Sequence, residues 1–452
     1  MGAESRTASQ ALAAFTVATA FDDLGDAVRH QAKRSLLNFV GCALGAADEP
    51  AVATAVRVLA GPGGAPQAGL IGRAERFDLL SASFVNAISG NLFDFDDTHL
   101  ATVIHPTAPV APVVLALAER HGASGADALT ALALGIEVAC RIGNAVSPGH
   151  YDRGWHITAT CGVFGAAAAA AKLLGLSPDQ TAHALGIAAS EAAGVVENLT
   201  TAAKNVGVGN AARNGLLAAL MAEAGYEAAP GAIEGPLGWA RASGDSPDIA
   251  RIHDGLGSAW ELLANTFKPY PSGVVLHAVA DACLALRAAH RLKPEEIAGV
   301  TVAGDALLLA RGDRVVSNAR DARVSIQHTA AVALLRGAAG LDEYAPATVE
   351  DPAVAAFRTR VRPIPDPTLP KGAARVEIVL ADGRRLSETI RNARGSLESP
   401  LTDAEIGAKV IALARRGAAG IAAEAVIDRI WSLEAMADVR PFCRMLFRHS
   451  PE

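Results

Sequence analysis

A chain of 452 residues, 51% hydrophobic and 19% charged, is long enough for two or three domains and too apolar to be disordered. Its formal net charge of −7, with no cluster of Lys and Arg, argues against a nucleic-acid partner, because phosphate binding needs a basic face. The five cysteines lie far apart with no CxxC. That pattern indicates neither a disulfide framework nor a zinc ribbon, lacks the usual spacing of a four-cysteine iron–sulfur cluster, and fits a reducing cytoplasm.

From Ser9 to about Ala264 the pattern reads as helical almost throughout, and the abundance of alanine suggests closely packed helices. Ala11–Phe21 resembles a signal-peptide core behind Arg6, but Glu4 and the lack of a leucine run make it read as ordinary chain. Val28–Ala46 repeats apolar residues at spacings of three and four, the signature of an amphipathic helix. Gly61–Gly69 is a loop, and Phe77–Leu92 resumes a helix that runs into FDFDDTHLATVIHP, residues 93–106. Pro106, Pro109 and Pro112 are expected to break and restart the chain. Cys161–Leu174 and Thr181–Val196 read as two further helices. The uncharged stretch Ile157–Ala171 is too short to span a bilayer and reads as buried, so no membrane is expected.

The register changes at FKPYPSG (Phe267–Gly273). One more helix runs to about His290, and Ile297–Gly304 is β-branched and alternating. Ala374–Ile390 forms a hairpin around Asp382-Gly383, and Thr402-x-x-Glu405 is a capping box that opens a last helix. The expected fold is mainly α. Residues 1–267 form a large all-helical domain completed by 400–452, and 268–399 form a smaller α+β lid domain inserted before the helical return.

The chemistry concentrates in FDFDDTHLATVIHP, which holds Asp94, Asp96, Asp97, Thr98 and His105. Like charges this close raise at least one pKa unless cations or amides offset them. Asp-x-Asp-Asp is compatible with Mg²⁺, but the further ligands of such a site are missing, so the bland reading is an acidic turn that caps amides. Pro106 holds His105 extended. His156 stands just ahead of a Gly/Ala helix, and Lys204 just before GVGNAARNG, a run that is not GxGxxG and follows no strand. Lys268 lies where the helical part ends. Each histidine alone reads as a satisfied structural group and each lysine as a surface one. No GxSxG, HExxH or GxxxxGK[ST] occurs.

Taken together, FDFDDTH followed by HPTAPV, then GWHITATCGVFGAAAAAAKLLG, KNVGVGNAARNG and FKPYPSGVVLH resemble the MmgE/PrpD family over nearly the whole chain. That family includes 2-methylcitrate dehydratase, cis-aconitate decarboxylase and iminodisuccinate epimerase. The resemblance implies a large helical domain with an α+β lid, a homodimer, and no metal or organic cofactor. Carried over residue by residue, it places Asp94, Thr98, His105, His156, Lys204 and Lys268 around a small di- or tricarboxylate. His328, in ARVSIQHTAAVAL, takes the place of a tyrosine of the decarboxylase and is expected at the substrate with Thr98. The loop from Thr98 to His105 looks one residue longer than in that enzyme, and Ala203 precedes Lys204 where the family has a polar residue. These departures lean away from decarboxylation.

Reactions of this family form or protonate a carbanion next to a carboxylate, and cations in a dry site stabilise the enolate-like charge. The expectation is therefore a cytoplasmic, cofactor-free lyase, dehydrating its substrate. His105 would move the proton with His156 as partner, the two lysines would hold carboxylates, and Asp94 would tune a neighbouring histidine or lysine. Asp96 and Asp97 are left mainly to structure. Epimerisation and decarboxylation are the alternatives within the family, and a non-catalytic helical binding protein is the alternative outside catalysis.

Overall fold

The computed structural model describes residues 6–448. The protein is mainly α, with three small sheets among many helices in the described residues. The chain divides into two compact units. The larger takes residues up to 92, 96–265 and from 402 onward, and the smaller takes 93–95 and 266–401.

The larger unit is a stack of helices. Thr7 and Gln10 form a capping box for α1 (Ala8–Ala18), so the apolar stretch near the N-terminus is a packed helix. In α2 (Asp26–Ala46), Gly41 and Gly45 face Val410 and Leu413 of helix Asp403–Gly417. A Cβ on Gly41 would stand 2.7 Å from Val410 Cγ2, so the small residues set how closely these helices approach. Helix α3 (Leu79–Asn91) starts two residues later than the pattern suggests, because Asp78 caps it by accepting from the amides of Leu80 and Ser81.

The prolines do not break the chain as expected. Helix α4 (Thr107–His121) begins directly after Pro106 and runs through Pro109 and Pro112. Pro109 falls in the first turn, where the missing N–H has no intrahelical partner anyway, and only Pro112 removes a bond from the ladder.

Helix α5 (Gly125–Val146) is long and apolar enough to cross a membrane, yet it is almost wholly buried within the unit. It carries a buried ion pair in which Arg141 Nε donates to Glu137 Oε1 at 2.6 Å, and the guanidinium also donates to the carbonyls of Asp254 and Ala259. Such a pair with every arm satisfied suits a protein core.

Helix α6 (Ile157–Leu173) begins four residues before the expected Cys161. It meets α5 through glycine, since a Cβ on Gly165 would fall 2.4 Å from the Gly135 carbonyl. Helix α7 (Pro178–Glu191) ends well before Val196, and the chain from Ala192 to Val195 is extended around Gly194. Helix α8 (Ala203–Glu223) packs on α3, α6 and α7.

The smaller unit is built on a four-stranded sheet. Strand β1 (Ile297–Gly304) pairs in parallel with β2 (Val361–Pro365) and antiparallel with β3 (Ala374–Leu380). Strand β4 (Arg385–Ile390) closes the hairpin through Asp382-Gly383, with Gly383 at φ +87°. Side chains of β3 alternate between core and partly open positions. The core face packs on α9 (His277–His290) and α10 (Ile326–Arg336) through Val300, Val302, Val376, Ile378, Val279 and Ala330.

Candidate functional site

The loop between α3 and α4, residues 96–106, carries most of the chemistry of the larger unit, and buried polar groups fix its shape. His99 is fully buried. Its Nδ1 lies 2.8 Å from Thr102 Oγ1 and its Nε2 3.0 Å from Glu261 Oε2, while its backbone N–H donates to the Ile104 carbonyl at 2.8 Å. The Glu261 carboxyl is held below its usual range, first by the His99 hydrogen bond. Asp97 is also fully buried. Its Oδ2 accepts from the Thr107 hydroxyl and, at 2.5 Å, from Asn265 Nδ2. Burial and the neighbouring Asp96 charge push its pKa up to about 7. The structural role expected for Asp97 is therefore visible in its partners.

His105 sits at the end of this loop, 9% exposed, with its backbone N–H donating to Thr158 Oγ1 at 3.1 Å. Its Nδ1 lies 2.7 Å from the backbone carbonyl of Asp97. A carbonyl can only accept, so Nδ1 carries the hydrogen of the neutral ring and Nε2 is its acceptor nitrogen. Thr98 Oγ1 is 3.3 Å from the same Nδ1, which brings two of the expected site residues together.

Asp96, passed over in the sequence as structural, also faces this ring. Its Oδ1 is 3.5 Å from His105 Nδ1. Its Oδ2 accepts from Asn91 Nδ2 at 2.6 Å, and Asn205 Nδ2 donates at 3.0 Å both to Asn91 Oδ1 and to the Asn91 carbonyl. Nothing in Asp-x-Asp-Asp marks which acid turns toward the histidine; the Asn91 and Asn205 amides, 114 positions apart, decide it.

His156 is the N-cap residue of α6. It is buried, and its backbone N–H donates to the Gly194 carbonyl at 3.1 Å. The first turn it opens supplies Thr158 to His105 and Thr160 to His150. His150 is held neutral: Nδ1 lies 3.1 Å from the Ser243 carbonyl, Nε2 lies 2.7 Å from Thr160 Oγ1, and burial lowers its pKa to about 4. Lys204 is the second residue of α8 and is buried, one position before the Asn205 that reaches Asn91.

In the smaller unit, Lys268 is buried and clasps Asp94 twice. Its Nζ is 3.0 Å from the Asp94 carboxylate and donates to the Asp94 carbonyl, also at 3.0 Å. Asp94 itself is left-handed at φ +55°, a conformation that short polar side chains tolerate. The preceding Phe93 carbonyl accepts from the Arg323 guanidinium, which also stands over the Phe93 ring.

His328, on α10 of the same unit, is fully buried with both nitrogens engaged. Nε2 lies 2.9 Å from the Glu343 carbonyl, so Nε2 carries the hydrogen, and Nδ1 receives the Arg358 guanidinium at 3.3 Å. Burial first, with Arg358 and Arg336 nearby, lowers its pKa to about 4.

Two family matches cover most of the chain: the MmgE/PrpD N-terminal domain over residues 10–252 and the MmgE/PrpD C-terminal domain over residues 270–433. Among curated proteins, the cis-aconitate decarboxylase of Mus musculus is 29% identical over 385 residues, covering 81% of this chain and 78% of its own. The cis-aconitate decarboxylase of Homo sapiens is 29% identical over 386 residues, covering 82% and 80%. That of Aspergillus terreus is 28% identical over 460 aligned positions, covering 94% and 93%.

Proposed function

The chain belongs to the MmgE/PrpD family, and from that premise we propose that it is a cofactor-free lyase acting on a small di- or tricarboxylate. The proposed chemistry is proton transfer at a carbon next to a carboxylate, leading to dehydration. The observation that supports this reading best is the pinned His105, a buried imidazole with Nδ1 committed to a carbonyl; Nε2 is proposed as the nitrogen that exchanges a proton.

His105 is proposed as the proton carrier with His156 as its partner. Lys204 and Lys268 are proposed to hold substrate carboxylates, and Thr98 to touch substrate beside His105. Asp94 tunes Lys268, the cation it is paired with. His328 is given a narrower part than direct binding, because its nitrogens are committed to Glu343 and Arg358; it bears on specificity by holding that arginine in place. The proposal includes a cytoplasmic homodimer, on the strength of the family resemblance and the five scattered free cysteines.

Decarboxylation is the second reading, favoured by the names of the curated relatives. Incubating EDTA-treated protein with 2-methylcitrate, citrate, cis-aconitate and substituted succinates tests both. A change in alkene absorbance without CO₂ is the result expected for a hydro-lyase. CO₂ release establishes the decarboxylase, and solvent deuterium uptake without net change an epimerase. Loss of turnover on chelation contradicts the cofactor-free reading, and melting-point shifts with no turnover mark a binding protein.

A further inference from the structure

The position of Asp96 is not explained by a capping role. Its carboxylate is 1% exposed, and a buried carboxylate needs several donors or a positive charge to remain ionised. It has one donor, the Asn91 amide at 2.6 Å, on Oδ2. Among the described residues Oδ1 has no hydrogen-bond partner, and it points at the His105 ring with Nδ1 3.5 Å away.

The amide relay fixes which oxygen of Asp96 accepts. Asn91 accepts from Asn205 through Oδ1, so its NH₂ must face Asp96; turning the Asn91 amide over would set two NH₂ groups against each other. Asp96 Oδ2 is thereby an acceptor. The Nδ1–H of His105, meanwhile, is spent on the Asp97 carbonyl, so Asp96 acts on the ring through its charge.

We propose that Asp96 is a positioning residue for His105: an ionised, under-solvated carboxylate whose missing counter-charge is the imidazolium that forms when His105 Nε2 takes up a proton. The relay Asn205–Asn91–Asp96 aims it. The arrangement raises the proton affinity of Nε2 without occupying either ring nitrogen. It deepens the function proposed above and rests on His105 being the proton carrier there. Other titratable groups near this ring within the larger unit include Asp97 and His99 on the loop itself, His156 at the start of α6, and Lys204 at the start of α8, and His99 is engaged by Thr102 and Glu261. Asp97 is turned the other way, toward Thr107 and Asn265.

The test reads the ring directly and needs no substrate. In full-length protein carrying ¹⁵N-labelled histidine, with His105 assigned by its loss in His105→Gln, the imidazole is titrated in wild type, Asp96→Asn and Asp96→Glu. A carboxylate at this range shifts a neighbour by about 1–3 pH units. Asp96→Asn should therefore lower the His105 midpoint by about one unit or more, and Asp96→Glu, which keeps the charge, should recover at least half of that shift. An unchanged midpoint in a folded Asp96→Asn protein overturns the proposal. If Asp96→Asn does not fold, the reciprocal measurement decides: in His105→Gln the Asp96 carboxyl, followed by ¹³C, should protonate at higher pH than in wild type, and an unmoved or lowered value overturns it. Should the substrate panel show no turnover, the titrations still decide the coupling. Where turnover exists, the acidic limb of kcat/KM should move with the same midpoint.

Discussion

His105 in the larger unit and His328 in the smaller are both buried and both lean one ring nitrogen on a backbone carbonyl, yet the charges around them are opposite in sign. His105 gives Nδ1 to Asp97 and has a carboxylate, Asp96, 3.5 Å away. His328 gives Nε2 to Glu343 and meets a guanidinium on Nδ1, and its pKa falls to about 4. The nearby negative charge favours taking a proton, whereas the nearby positive charge and burial forbid it. The two histidines thus differ in the sign of the charge beside them, and His328 is the more deeply buried of the two.

The largest expected effect breaks the comparison on the reactive side. His105→Gln and His156→Ala should each cut turnover on the active substrate by at least about 10²-fold, measured as kcat/KM, while His328→Gln should cost less than about tenfold. Near-normal rates in both of the first two variants would remove those histidines from the chemistry. Lys268→Met comes next. It strips the cation from Asp94 and, if Lys268 holds a carboxylate, raises KM by at least about tenfold, with a smaller loss in kcat.

The pH dependence of stability sharpens the same contrast, because lowered and raised pKa values act in opposite directions. His328 and His150 each bind a proton near pH 6.5 when unfolded but only near about 4 when folded. Their contribution is present above about 6.5 and is lost as pH falls toward 4. For His328 this amounts to roughly 3 kcal/mol at most. His328→Phe should flatten that acid loss while costing about 1–3 kcal/mol at neutral pH, since the Glu343 carbonyl and the guanidinium lose their ring partner. Asp97, raised to about 7, behaves inversely: its contribution is full below about 4 and is lost as pH rises through 7. Asp97→Asn should level that decline in a urea-melt series. The smallest effect belongs to the capping box of helix Asp403–Gly417, where Thr402→Ala should lower stability by about 1 kcal/mol and leave both histidines untouched.

What the sequence made legible was local chemistry. The Asp382-Gly383 turn, the Thr402–Glu405 box, the strand Ile297–Gly304, and the places of His156 and Lys204 at helix starts all follow from a few neighbouring residues. The family motifs named Thr98 and His105, and the structure brings those two within hydrogen-bond reach of one another. The misses share a different cause. Pro112 sits inside a helix because buried packing on neighbouring helices outweighs one lost bond, which no local rule registers. Asp96 was indistinguishable from Asp97 until Asn91 and Asn205 claimed one and Thr107 and Asn265 the other. His328 owes its neutrality first to burial and then to Arg358, 30 residues away, while Glu343, 15 residues away, fixes which nitrogen carries the hydrogen.

The contrast between the two histidines is most directly tested by the tautomer each adopts when neutral. At about pH 8, ¹⁵N imidazole shifts and their two-bond couplings should show His105 protonated on Nδ1 and His328 protonated on Nε2. On lowering the pH toward 4, His105 should gain its second proton on Nε2 before His328 gains its own. A neutral His105 carrying its hydrogen on Nε2, or a His328 that titrates first, would contradict this account.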